Sequence, residues 1–407
     1  MNVSLRIAFR YLFAKKRHNA INIISAVAAA GIAVATAAMI CVLSVMNGFG
    51  NVVEDMFSLF DPDIRITAKN GKYFNCESEQ FAAIRALEQV SSFSRTIEEN
   101  ALVYFSEKQV SARVKGVDDN YEQTTSISDI IIDGTYTVFD GAFERTVMGR
   151  GLANTIGIGA HFISPLRVYA PQRNGRVNLL APEKSINKQP IWISGVFAVN
   201  QTKYDDNMML VSLNFAKTLF GYSDNEVTAV ELHLQPSASV KSTKKKIQQI
   251  LGDDFFVADR YEQQADFYKI LRVEKVLTII LLSFILLIAA LNIVGSLSML
   301  MLEKRDDMQV LHSMGANRKE IRNIFVFEGW LVSLIGALAG LVTGVIICYL
   351  QMEYGLLKLG NGTNYIISAY PVAIKLTDII LVSVIVVVLG FVSAFIPARI
   401  KDSKSKF

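Results

Sequence analysis

The sequence predicts a membrane protein with four transmembrane helices, one N-terminal and three C-terminal, and a large α+β extracytoplasmic domain between the first and the second. Three observations carry that prediction. Apolar residues make up 51% of the 407 residues and mean hydropathy is +0.33, too apolar for one soluble domain. They concentrate in uncharged runs at 19–53, 276–302, 329–352 and 379–398, each long enough for the ~20 residues that cross a ~30 Å hydrocarbon core. Between the first two runs the pattern changes to short alternating stretches, the signature of half-buried strands.

Lys and Arg content orients the spans. Arg6, Arg10, Lys15, Lys16 and Arg17 precede the first run. Lys304, Arg305, Arg318, Lys319 and Arg322 lie between the second and third, and Arg399, Lys401, Lys404 and Lys406 follow the fourth. Those segments read as cytoplasmic, so both termini do too. The connection from third to fourth run holds only Lys358 and Lys375 and reads as outward-facing. Residues 47–275 carry 25 Lys and Arg against 29 Asp and Glu. The net charge of +4 therefore reflects sorting across a membrane, and no nucleic-acid partner is expected.

Residues 1–20 set Val3, Leu5, Phe9, Leu12 and Phe13 against Arg6, Arg10, Lys15 and Lys16, as an interfacial amphipathic helix does. Residues 21–46 form the first span. It is too long for the apolar core of a secretory signal and reads as a retained anchor. Its many alanines, with Ser25, Gly31 and Thr36, allow close approach of another helix or another subunit. Asn47 and Gly48 punctuate its end.

In the outer domain, 47–275, DIRIT, residues 102–105, 110–117, LRVYA, IWISGVFAV, MMLVSL and VTAVELHL read as strands. Residues 77–90, 214–220 and 240–251 read as helices, and GRGLANTIGIG as a helix with a Gly-rich exit. The domain is expected to form two small lobes. The connection from Pro171 to Pro190, with three prolines, is long for two strands, and long connections are often functional. No Gly or Pro occurs from Tyr261 to Val294, so a stalk helix from about residue 260 is expected to enter the second span at 276–302.

Residues 303–325 come out of that span on both signs of charge, with apolar Met308, Leu311 and Met314 at helical spacing, a pattern suited to a protein groove. Gly315 reads as a helix stop, and Asn317 with Glu320 as the cap of the next helix. The third span covers 326–350, an outer loop 351–377, the fourth span 378–398 and a cytoplasmic tail 399–407.

Catalytic chemistry is not expected. The chain lacks a phosphate-cradling G-x-x-x-x-G-K-[ST] loop. Its four histidines, His18, His161, His233 and His312, have no ligand spacing, so no metal site is expected. Cys41 and Cys348 sit inside spans, which leaves Cys76 alone in the outer domain.

The stretch RIAFRYLFAKKRHNAINIISAVAAAGIAVATAAMICVLSVMNGFGN, the FDPDIRI that follows, and LNIVGSLSMLMLEKRDDMQVLHSMGANRKEIRNIFVFEGWLVSLIGALAGLVTG resemble the permease subunits of lipoprotein-releasing ABC transporters, the LolC and LolE type of the MacB-like mechanotransmitting superfamily. The resemblance implies a non-catalytic permease of the bacterial inner membrane. Its expected partners are two copies of a cytoplasmic ABC ATPase holding ATP and Mg, and a second permease subunit. Acylated lipoproteins drawn from membrane lipid would be its cargo, and a periplasmic carrier would receive them. The coupling element would be Glu303–Ala316: Met308, Leu311 and Met314 inserting, Lys304, Arg305 and Asp307 orienting, Gly315 closing the turn. The hairpin, with Arg173, Arg176, Leu179, Leu180 and Pro182, occupies the position of a carrier-binding hook. Val42, Met46 and Phe49, with Ile279 and Leu282, are candidates for an acyl-chain cavity. The alternative is a MacB-like or cell-division-type permease acting on an efflux duct or a cell-wall hydrolase.

Overall fold

A computed structural model describes residues 19–173, 186–358 and 369–404. The chain divides into a helical unit, Met1–Val52 with Lys269–Phe407, and a sheet unit, Val53–Tyr268.

Helix α1 (Asn19–Ser58) leads to β1 (Ile64–Ala68), β2 (Phe74–Asn75), α2 (Glu79–Arg85), β3 (Val90–Phe105), β4 (Lys108–Val117), α3 (Tyr121–Thr124) and β5 (Ile131–Gly134). Then come β6 (Arg145–Gly149), α4 (Arg150–Ile156), β7 (Leu166–Pro171), β8 (Ile186–Phe197), α5 (Thr202–Asp205), β9 (Met208–Ser212) and α6 (Leu213–Phe220). The sheet unit ends with β10 (Glu226–Val227), β11 (Ala229–Leu234), α7 (Val240–Leu251), β12 (Phe255–Asp259) and α8 (Arg260–Gln263). Helices α9 (Ala265–Glu303), α10 (Arg305–Ser313), α11 (Arg318–Tyr354) and α12 (Leu376–Lys404) complete the described chain. Four of the helices, α1, α9, α11 and α12, are long and apolar enough to cross a membrane.

The two expected lobes share one ten-stranded sheet. Strand β3 is 16 residues long and works twice. Its first half pairs with β11, which continues to β1 and β12; its second half pairs with β7. From there β3, β4, β9, β6, β8 and β7 pair in turn and close into a ring. Ile97, Val103, Val114, Met148, Val168, Ile191 and Met209 belong to the core of this ring. Alternation along β1 and β11 sends Ile64, Ile66, Val230 and Leu232 to a second core with Phe81 and Ile84 of α2 and Ile247 and Leu251 of α7. Cys76 belongs to that core, with its thiol donating to the Asn225 carbonyl at 3.5 Å, which removes it from solvent and from bridging to another chain.

In the helical unit the small residues of α1 meet α11 of the same chain. A Cβ on Gly336, Gly340 or Gly344 would lie within 2.4–3.0 Å of Ala29, Ala33 or Ile40 atoms respectively, and Cys348, four residues after Gly344, faces Cys41 with the sulfurs 3.9 Å apart. The expected partner of the first span is therefore intramolecular at this face. Two expected boundaries move. Asn47 and Gly48 do not end the first helix, which continues to Ser58. The stalk is broken at Gln264 (φ −114°, ψ 31°), between α8 and α9, after which α9 runs 39 residues without a break, about 58 Å at 1.5 Å per residue.

Candidate functional site

The charged turn folds as the sequence led us to expect. Helix α10 starts after Lys304, whose Nζ reaches Asp307 Oδ2 at 3.1 Å. It closes at Gly315 (φ +96°), a left-handed position where a Cβ is penalised. The Glu320 carboxylate accepts from the Asn317 N–H at 2.9 Å, at the start of α11. The side chains divide otherwise than expected. Met308 and Leu311 pack, with Ala316, against the helical core that holds Ile321 and Phe325. Val310 and Met314, one turn apart, are 59% and 79% exposed. Of the three residues expected to insert into a partner, Met308 and Leu311 are partly buried and Met314 is exposed, with Val310 exposed one turn before it. The two apolar pairs, at i,i+3 and i,i+4, lie on different faces of one short helix, so counting apolar residues along the sequence does not separate them.

At the hairpin, Arg176, Leu179, Leu180 and Pro182 lie outside the described residues. Arg173, at the base, is occupied. Its guanidinium carbon lies 3.5 Å from the Tyr73 ring centre and 4.4 Å from that of Tyr222, and its two terminal nitrogens donate to the Glu226 carboxylate at 2.9 and 3.4 Å. The hydrogen bond to Glu226 raises Arg173 above the ordinary arginine value, and the same bond lowers Glu226. A planar cation lying against two rings and paired in a fork pins the hairpin's root.

The face between α1 and α9 is brought together in part. Ile279 and Leu282 are half-buried against the core containing Met39 and Leu43, Val42 is turned outward, and Phe49 sets its ring edge-on to Tyr370, centres 5.8 Å apart. Beside Met46 stands a polar group that the sequence reading passed over. Lys275 Nζ of α9 donates to Asn47 Oδ1 of α1 at 3.1 Å and to both oxygens of Asp378 of α12 at 2.8 Å. Asn47 Nδ2 donates to Asp378 Oδ2 at 2.6 Å. Lys275 and Asp378 are the last charges before two uncharged runs, positions that ordinarily face water, so nothing in the sequence marked them as a pair.

The sheet unit buries a second polar set. Lys115 and Glu231, 3% and 0% exposed, pair at 2.9 Å. Arg65 pairs with Glu98, which Arg113 also reaches at 3.2 Å. Burial alone would raise Glu98, but the charges of Arg65, Lys115 and Arg113 outweigh it and pull its pKa to about 2. Asp61 accepts from Tyr204 Oη and from Gln264 Nε2, both at 2.6 Å, and Lys203 Nζ donates to Gln264 Oε1 at 3.1 Å. A cavity of about 40 Å³ lies among these groups, enough for a water molecule. Of the described histidines, His161 and His233 each stand beside an aspartate and His312 beside the Ala316 carbonyl.

Comparison with known proteins gives these features a family. The MacB-like periplasmic core domain model matches residues 25–250, more than half the chain, and the FtsX-like permease C-terminal model matches 279–400. The chain belongs to this family of MacB-like, four-span membrane permeases. Within it, the chain is similar to lipoprotein-releasing system transmembrane proteins along nearly its whole length. It is 24% identical over 406 residues to LolC of Xylella fastidiosa (97% of this chain, 95% of the relative). It is 26% identical over 408 residues to LolC of Neisseria meningitidis (97% and 95%), and 24% over 409 residues to LolE of Haemophilus influenzae (98% and 96%).

Proposed function

We propose that this chain is the permease subunit of an ABC transporter that extracts acylated lipoproteins from the outer leaflet of the bacterial inner membrane and passes them to a periplasmic carrier. The observation that carries the reading is the full-length similarity to LolC and LolE, which takes in both membrane halves and the domain between them. The Lys and Arg distribution supports cytoplasmic termini and a cytoplasmic α10 turn. The missing phosphate loop supports a separate ATPase, two copies of which would hold the ATP and Mg; a second permease subunit would complete the membrane part.

In this reading α10 meets the ATPase through Val310 and Met314, and Arg305, exposed at the start of the helix, orients it. Lys304 and Asp307 hold each other and set the start of the helix. Closure of the ATPase pushes the turn, and α9 relays the push along an unbroken rod. The apolar face of Val42, Met46, Ile279 and Leu282 receives acyl chains and narrows to expel them. Phe49, already packed on Tyr370, borders that face. The hairpin hook remains part of the proposal through its residues beyond Arg173.

A pull-down from detergent-solubilised membranes, read by mass spectrometry, tests this. Recovery of an ABC ATPase with acylated lipoproteins, released to a soluble carrier on ATP addition, is expected. Recovery of the ATPase with an efflux duct or a cell-wall hydrolase and no lipoprotein would move the chain to the second reading, which the MacB-like and FtsX-like matches favour.

A further inference from the structure

Helix α9 is held unevenly. Its buried residues, Leu286, Ala290, Ile293, Ser296, Leu297, Leu300 and Met301, all fall in its C-terminal half. There Leu297 fits against Gly329 of α11, and the Ser296 and Ser25 hydroxyls lie 3.3 Å apart. In the N-terminal half, from Lys269 to Ile285, no residue is buried, and among the described residues Lys275 makes that half's hydrogen bonds to other spans. Close packing is what fixes one helix against another; this half has only the partly buried Ile279 and Leu282 against the helical core, and its polar hold on the other spans rests on Lys275.

The partners of Lys275 are fixed much more firmly to one another. The Ala373 N–H donates to the Ser44 carbonyl at 2.9 Å, and Asn47 Nδ2 reaches the Ala373 carbonyl at 3.4 Å as well as Asp378. Gly48 lies so close to the connection before α12 that a Cβ would stand 2.3 Å from the Pro371 carbonyl oxygen. The Ser44–Gly48 stretch of α1 and the connection leading into α12 are thus stitched by a backbone bond and by a contact only glycine allows. Asn47 and Asp378 are each 7% exposed and the Lys275 side chain is 29% exposed, so the carboxylate side of the ion pair is sheltered from solvent screening.

We propose that Asn47, Lys275 and Asp378 form a latch, and that its release lets the N-terminal half of α9 swing away from α1 and α12 about the packed C-terminal half. The swing opens the face of Met46, Ile279 and Leu282, which begins one turn from Lys275, to a lipid acyl chain. The motion follows from the packing and the hydrogen bonds; the identity of what enters rests on the lipoprotein-releasing reading. Lys275 is a positioning residue that sets the opening and has no chemical step to perform.

The test uses the full chain in lipid nanodiscs, with its three cysteines replaced by serine and spin labels at Val42→Cys and Ile280→Cys. Wild-type residues at the latch should give one narrow distance distribution. Lys275→Met should broaden it and shift it to longer distances, and the charge reversal Lys275→Asp with Asp378→Lys should narrow it again. An unchanged distribution in Lys275→Met, with the thermal melt confirming a folded protein, would overturn the latch. A second arm joins Lys275→Cys to Asp378→Cys in the ATPase complex with a reductant-cleavable bis-thiol crosslinker that spans the gap left by the lysine side chain. Lipoprotein release should stop on crosslinking and return with reductant, and release that continues through a crosslink confirmed by mass spectrometry also overturns the proposal. If the uncrosslinked complex releases no lipoprotein at all, the cargo assignment fails while the distance measurement still judges the latch.

Discussion

Lys115 and Glu231 show what a single buried charge can cost. Removing one partner of a buried pair leaves the other uncompensated, typically at about 3–5 kcal/mol, whereas replacing both with apolar groups of similar size is far milder. Lys115→Met should therefore lower the melting temperature of the sheet unit much more than the double variant Lys115→Met with Glu231→Leu, a comparison made by hydrogen exchange in β4 and β11. Glu98 supplies a pH dependence whose sign follows from its environment. Its folded pKa of about 2 lies below the ordinary 4.5, so its stabilising contribution is complete above 4.5 and is lost as pH falls from 4.5 toward 2. Glu98→Gln should be less stable at neutral pH and should flatten the stability profile across that window, as followed by melting at a series of pH values. The sequence identified these residues as charged and read Arg65, Lys115 and Glu231 into strands, while Glu98 fell in the first part of β3, ahead of the 102–105 stretch read as a strand. It gave no sign that Arg65, Glu98, Lys115 and Glu231 meet, because they are brought together by the pairing of β1, β3, β4 and β11.

Among the elements, α10 and its turn were legible because their signals are local: a left-handed glycine and a cap three residues before its glutamate. Its outward face was not, since Met308 and Val310 are equally apolar and only the packing against Phe325 distinguishes them. Val310→Asp and Met314→Asp should each weaken capture of the ATPase by about tenfold or more, equivalent to ~1.4 kcal/mol or above. Leu311→Asp should instead destabilise the helical unit, and binding and melting measured side by side separate the two effects. Gly315→Ala, strained at φ +96°, should cost about 1–2 kcal/mol. The two misplaced helix boundaries have a common cause. Asn47 and Gly48 look like a stop, but the asparagine amide is engaged by Lys275 and Asp378, and the glycine serves close approach to Pro371 rather than a turn. Gln264 looks like a helix former, but Asp61 and Lys203 hold its side chain, and the backbone leaves the helix there.

For the whole molecule, four spans and an α+β domain could be read from charge-free runs and alternation, which are statistical properties of the chain. Which helix meets which is a matter of shape. The Ala-rich first span announced close packing without naming α11, and Gly340→Leu, whose Cβ would meet the Ala33 carbonyl at 2.4 Å, should lower helical-unit stability by about 1–3 kcal/mol in a thermal melt. Strand order was hidden for a similar reason, since alternation tells a strand which side is apolar but not which strand lies beside it. That order has a consequence for synthesis. Strand β1 leaves the first span early, yet its neighbours are β11 and β12, with Ile64 opposite both Leu232 and Asp259. A ribosome adds about 5–20 residues per second, so β1 emerges on the order of 10–40 s before the strand that covers its last edge. Throughout that interval the nascent chain is tethered to the membrane by α1 with Ile64 and Ile66 unsheltered, and holding this segment soluble falls to whatever protects it during translation.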